Sequence, residues 1–326
     1  MTPGTAAPPG LGVPDDLAVE RARHGEALAD VPLERVNAPQ PFVRGFLRSA
    51  REVVAYRELL ANLVRKELKI KYKDSVLGFL WTLVRPLLQL IIYSVAIGLF
   101  LGSGKVIPEF GVYLYTGLLV WTLFTEIMGG CTSSVVGNAA LIKKVYFPRE
   151  LFPLSVVGAA LVNFGLQLVI LLGAYAVTDR WPAPGDLTLV PLALVVLVVF
   201  AASLGMLLAA ANVTLRDVQY LVDVGLLFWF WMTPIVYAWT TVKTALVTDR
   251  GMRWLFDVYM ANPVANAALA FQRALWPGGQ TQKGAPFVYG GDLALRLGVL
   301  LIVSLGLFWF AQRVFAKSQG NFAQEL

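Results

Sequence analysis

The chain is predicted to be an all-α membrane protein with six transmembrane helices. Three observations carry that prediction. Hydrophobic residues make up 57% of the 326 positions and charged residues 15%, with a mean hydropathy of +0.65; soluble domains carry about a quarter charged residues. Six apolar runs are each long enough to cross a bilayer, which takes about 20 residues. Lys and Arg cluster in alternate connecting segments, which selects one orientation.

The elements follow in order. Residues 1–50 contain Pro3, Pro8, Pro9, Pro14, Pro32, Pro39 and Pro41 nearby, many acids and no apolar core of a signal peptide. They are expected to form a flexible cytoplasmic extension. Residues 51–75 are expected to hold an amphipathic helix, with Leu59, Leu60, Leu63, Val64, Leu68 and Ile70 as its apolar positions and Arg57, Arg65, Lys66, Lys69, Lys71 and Lys73 as its charge. Such a helix lies in the cytoplasmic headgroup layer or, alternatively, is an ordinary soluble amphipathic helix; its place directly before the first span favours the membrane.

The spans are expected at 76–101, 112–136, 151–177, 187–213, 220–239 and 293–315, within a transmembrane domain of 76–315 and before a cytoplasmic tail of 316–326. Their apolar residues are continuous rather than alternating, so they are helices and not barrel strands. Basic residues precede span one, stand between spans two and three (Lys143, Lys144, Arg149) and between four and five (Arg216), and follow span six (Arg313, Lys317). Both termini are therefore expected in the cytoplasm. The long loop at about 240–292 contains two apolar stretches, 252–261 and 265–276, punctuated by Asn262-Pro263 and Pro277-Gly278-Gly279. Each is too short to span and is expected to be a re-entrant or interfacial outer helix.

Several function classes are excluded. The lone cysteine, Cys131, cannot form an internal disulfide, and no metal-ligand spacing exists. The lone histidine, His24, lies far from any span, and there is no D-x-D motif, which argues against an integral-membrane transferase. The net charge of +6 fits cytoplasmic loops better than a nucleic-acid site. No G-x-x-x-x-G-K-[ST] loop is present to cradle phosphates. Gly104-Lys105 lacks the upstream glycine and the following hydroxyl residue. No catalytic residue and no resident cofactor is expected in this chain.

Intramembrane polar residues are functional candidates by default. Arg85 and Glu126 fall near mid-membrane on antiparallel spans one and two and are expected to form an ion pair, although Arg85 could instead snorkel to the inner headgroups. Gln89, Asn163, Gln167 and Asn212 could line a pore or join helices. Aromatic residues crowd span five and the outer side of span two; most suit an interfacial belt. Trp121, Trp229 and Tyr237 are the candidates for a channel wall.

Four stretches, in order and on this frame, carry a resemblance. They are Lys71-Tyr72-Lys73-Asp74-Ser75-Val76-Leu77-Gly78-Phe79-Leu80-Trp81 followed by Arg85-Pro86-Leu87; Lys143-Lys144-Val145-Tyr146-Phe147-Pro148-Arg149-Glu150-Leu151-Phe152-Pro153-Leu154; Met232-Thr233-Pro234-Ile235-Val236-Tyr237; and Asn262-Pro263 with Phe271-Gln272-Arg273. From about residue 51 onward the chain resembles the ABC-2 type permeases that export O-antigen, teichoic acid and related lipid-linked polysaccharides across the bacterial inner membrane. The resemblance implies a homodimer joined to two copies of a separate ABC ATPase, which binds ATP and Mg. It implies a coupling helix between spans two and three, with Lys143, Lys144, Tyr146, Phe147, Pro148 and Arg149 facing the ATPase. It also implies an outer gate containing Asn262, Pro263, Phe271 and Arg273. Partners are then the lipid-linked polysaccharide and membrane lipids. An ABC-2 drug or small-lipid exporter shares the span count. An Ala-, Arg-, Leu- and Val-rich composition hints at a galactan as the glycan.

Overall fold

The computed structural model describes residues 49, 51–72, 81–145, 147–179, 181–182, 186–276 and 293–326. Helices dominate these residues and no strand occurs among them. Among the described residues five helices are long and apolar enough to cross a membrane: Leu83–Phe100, Phe110–Gly137, Leu151–Ala176, Leu189–Thr214 and Leu293–Ser318. A sixth apolar helix, Val218–Trp231, has 14 residues, about 21 Å at 1.5 Å per residue. It is shorter than the run expected at 220–239. The expected N-terminal extension, the start of span one at 76–80, Tyr146 and the loop at 277–292 lie outside the described residues.

Helix α1 (Arg57–Tyr72) matches the amphipathic stretch. It packs on the span Leu151–Thr178, burying Leu63. The approach is close because Gly158 faces it: a Cβ there would sit 2.7 Å from Val64 Cγ2. Helix α2 (Trp81–Tyr93) carries Pro86 internally and continues as a π-helical stretch, Ser94–Phe100. Pro86 lacks an N–H and cannot close its helical hydrogen bond, which a membrane helix tolerates when neighbours cover the freed carbonyl. A one-turn helix, α3 (Ser103–Val106), leads to α4 (Phe110–Gly137).

Helix α4 is the central element, packed against α6 (Leu151–Thr178), α7 (Leu189–Thr214) and α8 (Val218–Trp231). Helix α5 (Ala139–Ile142) is one turn that follows its C-terminal end. Short α9 (Trp239–Lys243) and α10 (Arg253–Met260) precede α11 (Pro263–Leu275), and α12 (Leu293–Ser318) and α13 (Phe322–Glu325) close the chain. Both short apolar stretches of the 240–292 loop form helices, within two residues of the expected bounds. From Val264 to Phe271 almost every side chain of α11 is fully buried against α4, α7 and α12. Helix α12 buries one face on α7 and exposes Leu295, Val299, Ile302 and Val303 on the other. In hydrocarbon that apolar face is already in its preferred solvent.

With no hydrophobic drive between helices in lipid, association depends on close packing and on small residues. Gly205 of α7 shows this against α4: a Cβ there would lie 2.6 Å from Cys131 Cβ. Gly205→Ala should lower stability by about 1–3 kcal/mol, the usual cost of overpacking. Thermal melting of detergent-purified protein would check this. Cys131→Gly should restore the melting temperature of the double variant, whereas Cys131→Ala, which keeps the clashing Cβ, should not.

Candidate functional site

Three polar centres lie along the helix bundle. The first is a cavity of about 840 Å³ between α2, α4 and α8, lined among others by Arg85, Gln89, Trp121, Glu126, Gln167 and Asp223. Lys71, at the end of α1, also reaches it. A neighbouring cavity of about 440 Å³ shares Lys71 and Glu126 and continues to Lys66, Asn138 and Asn163.

Glu126 is the hinge of both cavities, and its partner corrects the sequence expectation. The Lys71 ammonium donates to Glu126 Oε1 at 2.9 Å, and Asn163 Nδ2 donates to Oε2 at 3.0 Å. No Arg85–Glu126 pair forms among the described residues. Arg85 is exposed on the wall of the same cavity. The physical reason is reach: Lys71 lies at the end of α1, packed on α6, and its long side chain turns inward to the carboxylate. Lys66 likewise donates to Asn138 Oδ1 at the C-terminal cap of α4.

The predicted channel aromatics divide. Trp121 is half-buried and lines the large cavity, edge-on to Phe230 with ring centroids 5.3 Å apart. Trp229 instead packs edge-on to Phe124 at 5.1 Å and lines a separate pocket of about 290 Å³ with Asn262 and Pro263. Its indole Nε1 donates to Asn262 Oδ1 at 3.2 Å. Tyr237 donates its hydroxyl to the Trp231 carbonyl at 2.6 Å. Trp229 and Tyr237 thus hold the outer end of α8 rather than the wall of the large cavity.

That outer end is the second centre. Helix α8 stops at Trp231 because Pro234 disfavours a helical residue before it and brings no N–H of its own. The freed carbonyls are met by side chains. Gln272 Nε2 donates to Pro234 O at 2.9 Å, Tyr113 Oη donates to Tyr237 O at 2.7 Å, and Asn262 Nδ2 donates to Met232 O at 3.4 Å. Asn262 also caps α11, accepting from Val264 N at 3.0 Å with Pro263 in the first helical position. Phe271 is fully buried, edge-on to Phe164 at 5.9 Å. Arg273 pairs with Asp186 at 2.9 Å, which ties α11 to the segment before α7. The four residues expected at the gate lie on α11 or at its cap. Sequence reasoning quoted Gln272 within a motif but missed its role, and it missed Tyr113 and Asp186.

The third centre lies beyond the C-terminal end of α4. Lys143 and Lys144 are exposed in a turn after α5, Phe147 is buried, and Pro148 and Arg149 are half-buried. Phe147 stacks at a tilt on Phe152, 5.3 Å away. Glu150 is buried and accepts from Gln312 Nε2 at 2.8 Å. Burial holds its carboxyl above the ordinary glutamate range; Gln312, Ser49 and Arg313 oppose that shift and Glu52 adds to it.

The model for the ABC-2 type transporter family matches residues 58–273. The chain belongs to the ABC-2 type transporter family. It is therefore a multi-pass membrane protein of a transport system. It is 32% identical to the O-antigen export system permease protein RfbA of Myxococcus xanthus over 280 residues, covering 86% of this chain and 100% of that protein. Two permeases of the same description from Klebsiella pneumoniae are 29% and 28% identical over 251 residues, covering 77% of this chain and 91% of each.

Two predictions follow from these centres. Charge reversal in Lys71→Glu should impair folding yield and be partly rescued by Glu126→Lys, whereas Arg85→Glu with Glu126→Arg should show no rescue. Paired yields of monodisperse protein would distinguish the two swaps; loss of the Glu126 carboxylate alone should cost about 1–3 kcal/mol, because Asn163 and Lys71 both donate to it. The elevated Glu150 proton affinity means that the folded state binds this proton more tightly than the unfolded chain. Its contribution is then complete below the ordinary glutamate value of about 4.3 and falls as pH rises toward the elevated folded value. Glu150→Gln should melt at or above the parent temperature at pH 7.5, with the difference shrinking toward pH 4 in thermal melts.

Proposed function

We propose that this chain is the permease subunit of an ABC exporter that moves a lipid-linked polysaccharide across the bacterial cytoplasmic membrane. The observation that carries the reading is the extent of the relationship: the alignment with the Myxococcus permease runs the whole length of that protein. The geometry supports it. A cavity combining Trp121 with Gln89, Gln167, Arg85 and Lys71 offers ring stacking and hydrogen bonds for sugar, and cations for an anionic lipid linkage.

In this reading α8 completes a six-span frame, with both termini in the cytoplasm and residues 1–50 as a cytoplasmic extension. Helices α2 and α8 leave Leu88, Ile92, Leu227 and Phe228 exposed beside the cavity. A second copy of the chain would cover these faces and close the channel. The chain is a transport subunit without an ATPase site; two ABC ATPase subunits bind ATP and Mg and push on the segment containing Lys143, Lys144, Tyr146, Phe147, Pro148 and Arg149. Asn262, Pro263, Phe271 and Arg273 form the outer gate. A galactan is the proposed glycan.

Depletion of the protein tests the reading. Membranes from depleted cells should accumulate one lipid-linked glycan on the cytoplasmic side, and its composition would name the substrate. Normal surface polymers with no such build-up would overturn the polysaccharide reading in favour of a drug or small-lipid exporter.

A further inference from the structure

The C-terminal tail ends inside the fold, against the segment proposed to meet the ATPase. After α12 the chain turns at residues 319–321 and forms α13, which places Phe322 at 1% exposure. Its ring meets Phe315 edge-on at 5.3 Å. The Arg149 guanidinium carbon lies 5.9 Å from the centroid of the Phe322 ring, within the range of a cation–π contact. Phe322 shares one apolar cluster with Ile142, Phe147, Leu151 and Phe152, which flank the exposed Lys143–Lys144 turn on both sides. One turn before Phe315, Gln312 joins the same segment through Glu150 Oε1 and also donates to Ser49 Oγ at 2.8 Å.

We propose that Phe322 is a positioning residue for the ATPase-docking segment, and that the tail acts as a clamp holding residues 139–150 in their docking geometry. The proposal rests on the reading of that segment as the ATPase contact. The reasoning is one of scale. Helix α5 is a single turn, and a helix that short has no stability of its own; among the described residues after it no further helix occurs up to Leu151. Its shape is therefore imposed by what it packs on. Ile142 and Phe147 anchor it, and the tail joins the same apolar cluster through Phe322 and meets the segment at Arg149. The exposed lysines of the turn keep a fixed direction only while both anchors stay seated.

The experiment uses the full-length permease in native membranes with an N-terminal affinity tag. Cys131 is the only cysteine and is fully buried in the bundle, so it reports global unfolding. A second cysteine, Ile142→Cys, reports opening of the docking segment. With Phe322→Ala, maleimide–polyethylene glycol labelling at position 142 should accelerate by about tenfold through local opening, while Cys131 stays protected. Magnesium-dependent ATP hydrolysis captured with the tagged permease should fall in parallel. Phe322→Leu, which keeps apolar volume, should retain most of the captured activity.

Unchanged labelling at position 142, or faster labelling with full ATPase capture, would overturn the clamp. So would labelling of Cys131 in both Phe322 variants, because the tail would then support the whole bundle rather than this segment. Lys143→Glu with Lys144→Glu separates the two readings. Full ATPase capture by that variant would refute the docking segment itself; its loss, with Phe322→Ala unaffected, would refute the clamp alone.

Discussion

The region around Pro234 depends on a single constraint: a helix backbone that breaks inside an apolar bundle must have its carbonyls met by other protein groups. Water is not there to do it, and each unmet group costs several kcal/mol. Pro234 imposes the break, and the residues around it answer it. The carbonyls of Trp231, Met232, Pro234 and Tyr237 accept from Tyr237, Asn262, Gln272 and Tyr113 respectively. Three of these donors lie outside the bend, on α4, at the cap of α11 and within α11. The short helix α11 is thus buried for a reason. It delivers Gln272 and Asn262 to a bend that no regular span could satisfy, and Gly117 lets α4 approach, since a Cβ there would lie 3.0 Å from Ile235 Cγ2.

The region around Glu126 meets a different problem, a charge placed on an apolar helix. Glu126 lies within such a helix and retains a cation and an amide as partners. The Lys71 and Glu126 side chains are 43% and 22% exposed, and a partly exposed ion pair is poor evidence for stability. It is better evidence for position. Lys71 belongs to α1, so the pair fixes the end of that helix against the middle of the bundle. The same two residues form walls of both cavities, so any anion that competes for Lys71 also loosens this junction.

How much of this was legible in the sequence follows from what the sequence encodes locally. Long apolar runs, the amphipathic pattern of α1 and the Asn-Pro cap of α11 are local signals, and those elements stand within a few residues of their expected places. The residues expected at a gate were named from motif resemblance, and they stand on α11 and its cap. What was not legible depends on reach across the fold. Arg85 and Glu126 have complementary charge and similar depth, yet the carboxylate is taken by Lys71, which was assigned to the headgroup layer because its helix is. Trp229 and Tyr237 look like channel aromatics by type and depth. Their polar edges are spent on Asn262 and on the Trp231 carbonyl, which only the bend at Pro234 brings near. Span five reads as a continuous apolar run because Ile235, Val236 and Tyr237 are apolar, although the backbone there has left the helix.

Helix α4 connects these centres mechanically. Tyr113 and Gly117 touch the bend at Pro234, Trp121 and Glu126 line the cavity, and Asn138 closes the C-terminal end before the turn at Lys143–Lys144. Its 28 residues contain no proline and form one uninterrupted helix, a rod of about 42 Å. Unlike α2 and α8, which carry or abut a proline, it has no internal point of weakness of that kind at which a displacement could be absorbed. On the proposed reading, a push at residues 139–150 is therefore delivered along α4 to the outer bend, where Tyr113 leaves the Tyr237 carbonyl only if another donor replaces it. The hydroxyls of an incoming sugar are such donors. A gate held shut by backbone carbonyls that need hydrogen-bond partners would open at least cost when the substrate supplies those partners, and that links permeation of a hydroxyl-rich polymer to the chemistry of the bend itself.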